Sequence, residues 1–157
     1  MRVIDERRRF AMMLDYEFGA GTSRVLPRSG LEFFYSRKSD RLKQINHDGK
    51  LFAVVRPNGA IALTLYSASV LVSSKVFLQN SVMVSDDAAE FVRKGKSVFC
   101  KFVVKVGKHV LPGSEVVVLD LKGKPIGLGR AKIPGVYMRE FKAGVAVKVR
   151  GISNEYG

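Results

Sequence analysis

Apolar positions in the first half of the chain recur first with a helical period and then in short extended runs. Over residues 3–15, VIDERRRFAMMLD, the residues Val3, Phe10, Met13 and Leu14 fall at helical spacing with no Gly or Pro between them, which predicts a helix. Asp5 and Glu6 stand in its first turn, where carboxylates suit the helix dipole. The glycines of Phe18-Gly19-Ala20-Gly21 end it near Gly19. LEFFYSR (31–37) reads as a strand, short and rich in aromatics. Asp48-Gly49 is a hairpin turn that pairs Leu42–Asn46 with Leu51–Arg56. Pro57-Asn58-Gly59 turns the chain again into a further strand, IALTLYS (61–67), and YSASVLVS (66–73) predicts a short helix.

The second half alternates more strongly. SVMVS (81–85) reads as a strand, and Asp86 or Asp87 caps a helix, DDAAEFVRKG, that Gly95 closes. SVFCKFVVKVG (97–107) reads as one long strand, rich in β-branched residues. Leu111-Pro112-Gly113-Ser114 is a turn, EVVVLDL (115–121) a strand, and Lys122-Gly123-Lys124 a hairpin turn into PIGLGRAKI (125–133). GVAVKVRGI (144–152) is the last strand. Five strands with one helix after the first predict a small mixed β-barrel.

Charge changes this picture. Lys and Arg number 27 against 14 Asp and Glu, a formal +13. The surplus is +6 over residues 1–75 and +7 over residues 76–157, so it is spread along the chain rather than carried by a basic tail. Such a balance favours polyanionic partners and makes their binding sensitive to salt. At 157 residues the chain is too short for a (β/α)8 barrel. It has no long apolar run, no extended basic amphipathic helix and no lipidation signal, so no membrane partner is expected. MRVIDERRRF has no signal-peptide core, and a cytoplasmic location is expected. A single cysteine, Cys100, permits neither an internal disulfide nor a Cys-based zinc site.

The order of motifs in the second half carries a resemblance. SVMVSDDAAEFVRKGKSVFCKFV, then LPGSEVVVLDLKGKPIGLGRA, then KAGVAVKV, resembles a PUA domain over residues 76–152. That family is an RNA-binding pseudo-barrel found in pseudouridine synthases and archaeosine transglycosylases. DYEFGAGTSRVL (15–26) and SRKSDRLKQINHDGKLFAVVRPNGAIALT (36–64) are similar to the region that precedes the PUA domain in archaeal tRNA-guanine transglycosylases, where "D-Y-x-F-G" and "D-G-K … R-P-x-x-G" recur. The catalytic barrel and its zinc ligands are not in this sequence. The resemblance implies a stand-alone archaeal PUA protein of the α+β class. A small N-terminal α/β, pre-PUA domain at residues 1–74 is followed by a PUA-type mixed β pseudo-barrel at residues 75–157.

The resemblance also implies an RNA surface along the helix and the turn closed by Gly95. By matching motif this surface is Arg93, Lys94, Gly95 and Lys96, with Lys101 and Lys105 on the long strand. Arg130 and Lys132 follow on the G-x-G-x-A strand, and Lys148 and Arg150 on the closing one. Strict alternation puts Phe99, Lys101, Val103 and Lys105 on one side of 97–107 and Val98, Cys100, Phe102, Val104 and Val106 on the other. All these cations are expected to converge on one face, with Gly95 offering free backbone donors to a phosphate. Among the aromatics Phe33, Phe34, Tyr35, Tyr66, Tyr137 and Phe141, a loop around Tyr137 and Phe141 best presents rings for stacking.

The sequence contains little that resembles a catalytic site. His47 and His109 lie beside turns without a triad pattern. Cys100 falls on the apolar side of its strand, Asp86-Asp87 is explained by capping, and PIGLGRA lacks the third glycine of a dinucleotide site. The expectation is a non-catalytic RNA-binding protein without cofactor or metal. Its partner is structured RNA, tRNA or rRNA, typically a tRNA acceptor end. Two other readings stand beside it. One is the RNA-binding subunit of a split RNA-modification enzyme or a translation factor. The other is a protein-interaction module, against which the +7 of the second half argues.

Overall fold

A computed structural model describes residues 5–150. Helix α1 (Glu6–Phe18) begins where the Asp5 carboxylate accepts the Arg8 N–H at 3.2 Å, and it stops at Gly19, whose φ of +120° a side chain rarely adopts. Positions 3 and 4 of the expected helix lie outside the described residues. Phe10, Leu14 and Phe18, each four residues apart, form its buried stripe. A 3-10 turn (Thr22–Val25) leads to four antiparallel strands, β1 (Leu31–Tyr35), β2 (Leu42–His47), β3 (Lys50–Val55) and β4 (Ile61–Leu63), ordered as in the chain. Asp48 and Gly49 both have positive φ, 49° and 81°, the geometry of a tight two-residue hairpin. Phe10 meets Phe33 and Phe52 edge-on at the centre of this half.

The strand expected over 61–67 stops at Leu63. Thr64 and Ser67 form a reciprocal cap: each hydroxyl accepts the other's backbone N–H, at 3.1 and 3.0 Å. That cap turns residues 65–67 into the start of helix α2 (Leu65–Leu71).

A second 3-10 turn (Phe77–Asn80) enters the other sheet. Its elements are β5 (Ser81–Val84), α3 (Asp86–Arg93), β6 (Val98–Phe99), β7 (Val103–Val106), β8 (Glu115–Leu119), β9 (Pro125–Ala131), α4 (Gly135–Met138) and β10 (Val145–Val149). The order β6-β10-β9-β8-β5-β7, antiparallel except for β5 beside β8, makes a near-closed pseudo-barrel around Val82, Val92, Val98, Val118 and Val147. A Cβ on Gly127 would come within 2.8 Å of Val92, so the bare glycine lets α3 lie close on β9.

Three sequence expectations are corrected here. The strand over 97–107 is two short strands with a 3-10 turn (Cys100–Phe102) between them, because the barrel must round a corner there. The turn breaks the alternation: Val103 is buried and Val104 exposed, the reverse of a continuous strand. The residue at the N-cap of α3 is Ser85, with Asp86 and Asp87 inside the first turn, where they face the positive end of the helix dipole. Helix α4 was not expected, and positions 151 and 152 of the closing strand lie outside the described residues.

The two sheets are joined at β4. This strand bonds to β3 on one side. On the other, the Ile61 N–H donates to the Glu17 carboxylate at 2.9 Å and the Leu63 N–H to Glu115 at 3.2 Å. The Leu63 carbonyl accepts from the Arg150 guanidinium at 3.1 Å, and the same guanidinium pairs with Glu115. Burial pushes both carboxyls above their ordinary range. At Glu17 the Ile61 N–H opposes that rise, and at Glu115 the Arg150 charge does.

Candidate nucleic-acid interface

Helix α3 turns Ala88, Ala89 and Val92 into the barrel and leaves Phe91 54% exposed. Its end folds back tightly: the Gly95 N–H donates to the Val92 carbonyl and the Lys96 N–H to that of Phe91, both at 2.9 Å, with Gly95 at φ +87°. This is the reversal that glycine permits after a helix. It brings Lys96 and Ser97 round to β6, where Phe99 is 47% exposed. Between helix and strand lies a cleft of about 330 Å³, lined by Ala88, Phe91, Lys96, Ser97, Phe99 and Phe102. The Lys101 ammonium stands 5.0 Å over the Phe102 ring, a cation–π contact. Lys94 is exposed beside the turn. Three aromatic rings with ammonium groups at the rim can receive an unstacked base while holding its phosphates.

The backbone does not contribute in the expected way. The N–H groups of Lys94, Gly95 and Lys96 all bond to carbonyls of the helix end, so this turn has no free donors for a phosphate. Arg93 is directed elsewhere: its guanidinium lies 3.1 Å from the buried Asp120 carboxylate. Asp120 also receives the Lys122 and Lys124 N–H groups at 2.9 Å, so the pair braces the β8–β9 turn against α3.

Not all of the expected cations line one site: Arg93 and Arg150 pair with carboxylates, and Lys105 lines a separate groove. Lys96 lines the aromatic cleft and Lys101 lies over its Phe102 ring, while Lys94 and Gly95 stand in the turn just before Lys96. Lys105 lines a different groove, beside the first half of the chain. Arg130 and Lys148 stand opposite each other on β9 and β10, exposed, and Arg130 also lies opposite Glu115 on β8. Lys132 is exposed just beyond β9. Arg150 is spent on Glu115 and the Leu63 carbonyl. Tyr137 and Phe141 are both 47% exposed and stack on each other, centroids 6.0 Å apart and 8° from parallel.

Most of the other aromatic and titratable candidates are engaged within the protein. Tyr66 shares a hydrogen bond with the His47 Nδ1 at 2.5 Å, and the Lys50 ammonium lies 5.0 Å over its ring. Phe33 and Tyr35 pack against the core, and Phe34 is 41% exposed on β1. Cys100 is buried, and desolvation pushes its thiol up. Among the described residues no group of three or more His, Cys, Asp or Glu is placed to hold a metal ion, and no helix is long and apolar enough to cross a membrane.

Sequence reasoning did not single out Phe91 or Phe99 as contact residues. A signal existed for Phe99, which alternation sets on the same side as Lys101. None existed for Phe91, because the cleft appears only once α3 is laid against β6.

Residues 80–153 match the PUA domain, and residues 8–76 match the patch-forming domain C2 of tRNA-guanine transglycosylase. The chain is 34% identical over 139 residues to the tRNA-guanine(15) transglycosylase of Thermoplasma acidophilum, covering 88% of this chain and 22% of that protein. It is 33% identical over 147 residues to that of Thermococcus onnurineus, covering 92% and 25%. The chain thus spans a quarter or less of the length of these curated relatives. Among solved structures, a hypothetical protein of Pyrococcus horikoshii matches with a TM-score of 0.75 at 21% identity, over 96% of this chain and 95% of that one. A conserved PUA domain protein of Thermoplasma acidophilum matches with a TM-score of 0.69 at 17% identity, over 98% and 97%. These two share the fold. The chain carries a PUA domain at residues 80–153 with a C2 domain of the transglycosylase type ahead of it, and over most of its length it is homologous to the C-terminal region of archaeal tRNA-guanine transglycosylase.

Proposed function

We propose that this protein binds structured RNA in the cytoplasm without reacting with it, seating a single-stranded end, as of a tRNA acceptor, on the face formed by α3 and β6. The PUA domain supports RNA binding. The observation that carries the reading is the aromatic cleft of Phe91, Phe99 and Phe102 with Lys96 on its wall and Lys101 over one ring. The rings stack on bases whatever their identity, and the ammonium groups hold phosphates without reading sequence.

Titrating tRNA against the protein at several salt concentrations tests this. Affinity is expected to fall as salt rises, and replacing Lys96 and Lys101 together by Ala is expected to reduce the slope by up to about 2. Absence of binding at low salt, or binding indifferent to salt, overturns the reading. An rRNA fragment bound in preference to tRNA changes the target and leaves the face. The homology to tRNA-guanine(15) transglycosylases favours a second role, presenting RNA to a separate modification enzyme. A rise in that enzyme's activity on mixing checks it.

A further inference from the structure

Lys105 belongs to a groove of about 540 Å³ where the two halves of the chain meet, between the 3-10 turn at Phe77–Asn80 and the outer faces of β5, β7 and β8. Leu78, Met83 and Leu119 are among its apolar lining. Three lysines from separate stretches surround it: Lys75 before the turn, Lys105 on β7, and Lys108 just past β7. All three are exposed, and none makes an ion pair among the described residues. No carboxylate lines the groove. Like charges gathered over an apolar floor repel one another more than they would in open water, and an anion lodged among them relieves that repulsion. Ammonium groups act on phosphate as point charges and ask for no fixed fork geometry. The groove also adjoins a second depression. Lys108 lines the neighbouring cleft too, where Arg56 and Arg130 stand with the carboxyls of Glu17 and Glu115. Three ammonium groups from separate stretches around one carboxylate-free groove fit a polymer charged at every unit better than a single small anion.

We infer that this junction groove holds the phosphate backbone of the bound RNA, as a second contact that shares no lining residue with the aromatic cleft. The inference rests on the RNA-binding reading above. It uses residues of both halves, so both take part in holding one RNA.

The test compares the wild type with a Lys75→Gln, Lys105→Gln, Lys108→Gln variant in tRNA titrations over a range of salt. The triple variant is expected to bind more weakly at low salt, its slope of log K against log salt reduced by about 2 to 3. As a measurement that needs no variant, the wild type is treated with acetic anhydride with and without tRNA. RNA is expected to protect all three lysines from acetylation. A wild type that binds no RNA sinks the reading beneath this one. A wild type that binds RNA, with an unchanged slope in the variant or unprotected lysines, overturns the groove alone. If the variant keeps its RNA affinity but loses binding to poly-glutamate, the groove serves an acidic protein segment instead, and the inference falls.

Discussion

The aromatic cleft and the junction groove are both ringed by lysines, yet they are built differently. The cleft comes from one short stretch of the second half, with exposed rings and a helix end whose donors are already spent. The groove is assembled from both halves, has an aliphatic floor, and offers charge without aromatic faces. Positive charge alone therefore does not define a single site on this molecule. Rings and charge together suit a base with its phosphate, whereas charge without rings suits backbone only.

The strongest way to break this comparison is to cut the tie between the halves. Arg150→Ala leaves the Glu115 carboxylate buried without its cation, which typically costs about 3–5 kcal/mol of unfolding free energy; the two side chains are 19% and 7% exposed. Urea denaturation measures the loss. The folded variant is expected to lose the groove's share of the salt dependence before the cleft's, since Lys75 and Lys105 come from opposite sides of the junction. A loss below about 1 kcal/mol would mean that the pair behaves as an exposed surface bridge.

A smaller effect sharpens the contrast from the other side. Phe91→Ala and Phe99→Ala are each expected to weaken RNA binding by about 1–3 kcal/mol per stacked base while leaving the salt slope in place. Both rings are about half exposed, so thermal stability should hardly move. An altered slope with unchanged affinity would reverse the roles assigned to cleft and groove.

The smallest effect is titration at the junction. Glu17 and Glu115 hold protons more tightly in the folded chain than in the unfolded one. Their contribution is complete below the ordinary value of 4.5 and declines as pH rises through the raised values. The difference in unfolding free energy between the wild type and Glu17→Gln, followed by urea titration at stepped pH, is expected to move against the wild type over that rise. Movement in its favour would mean the Ile61 N–H outweighs burial at Glu17.

Local chemistry made much of the fold legible. Asp48-Gly49 announced its hairpin, and the helical spacing of Phe10, Met13 and Leu14 announced α1. The corner at Cys100–Phe102 was hidden because Cys-Lys-Phe holds no turn residue, and only closure of the barrel imposes the bend. The early end of β4 had a local signal in Thr64 and Ser67, masked by the apolar run Ile61-Ala62-Leu63 before them. The candidate site was only half visible. Motif order pointed to Lys94, Gly95 and Lys96, of which Lys96 lines the cleft, but which cations share a surface depends on how the first half covers β5, β8 and β9. Arg150 shows the difficulty: in sequence it alternates like Lys148, and in space it is turned into the junction.

The capture of the Ile61 and Leu63 donors by two acidic side chains has a consequence beyond one molecule. A border strand with unclaimed donors is a template on which another polypeptide can add a strand. Here one of those donors is claimed by a residue of the barrel, so the barrel shields its neighbour from sideways growth. Severed from it, the leading half would present an open rim and a tendency to pair with copies of itself.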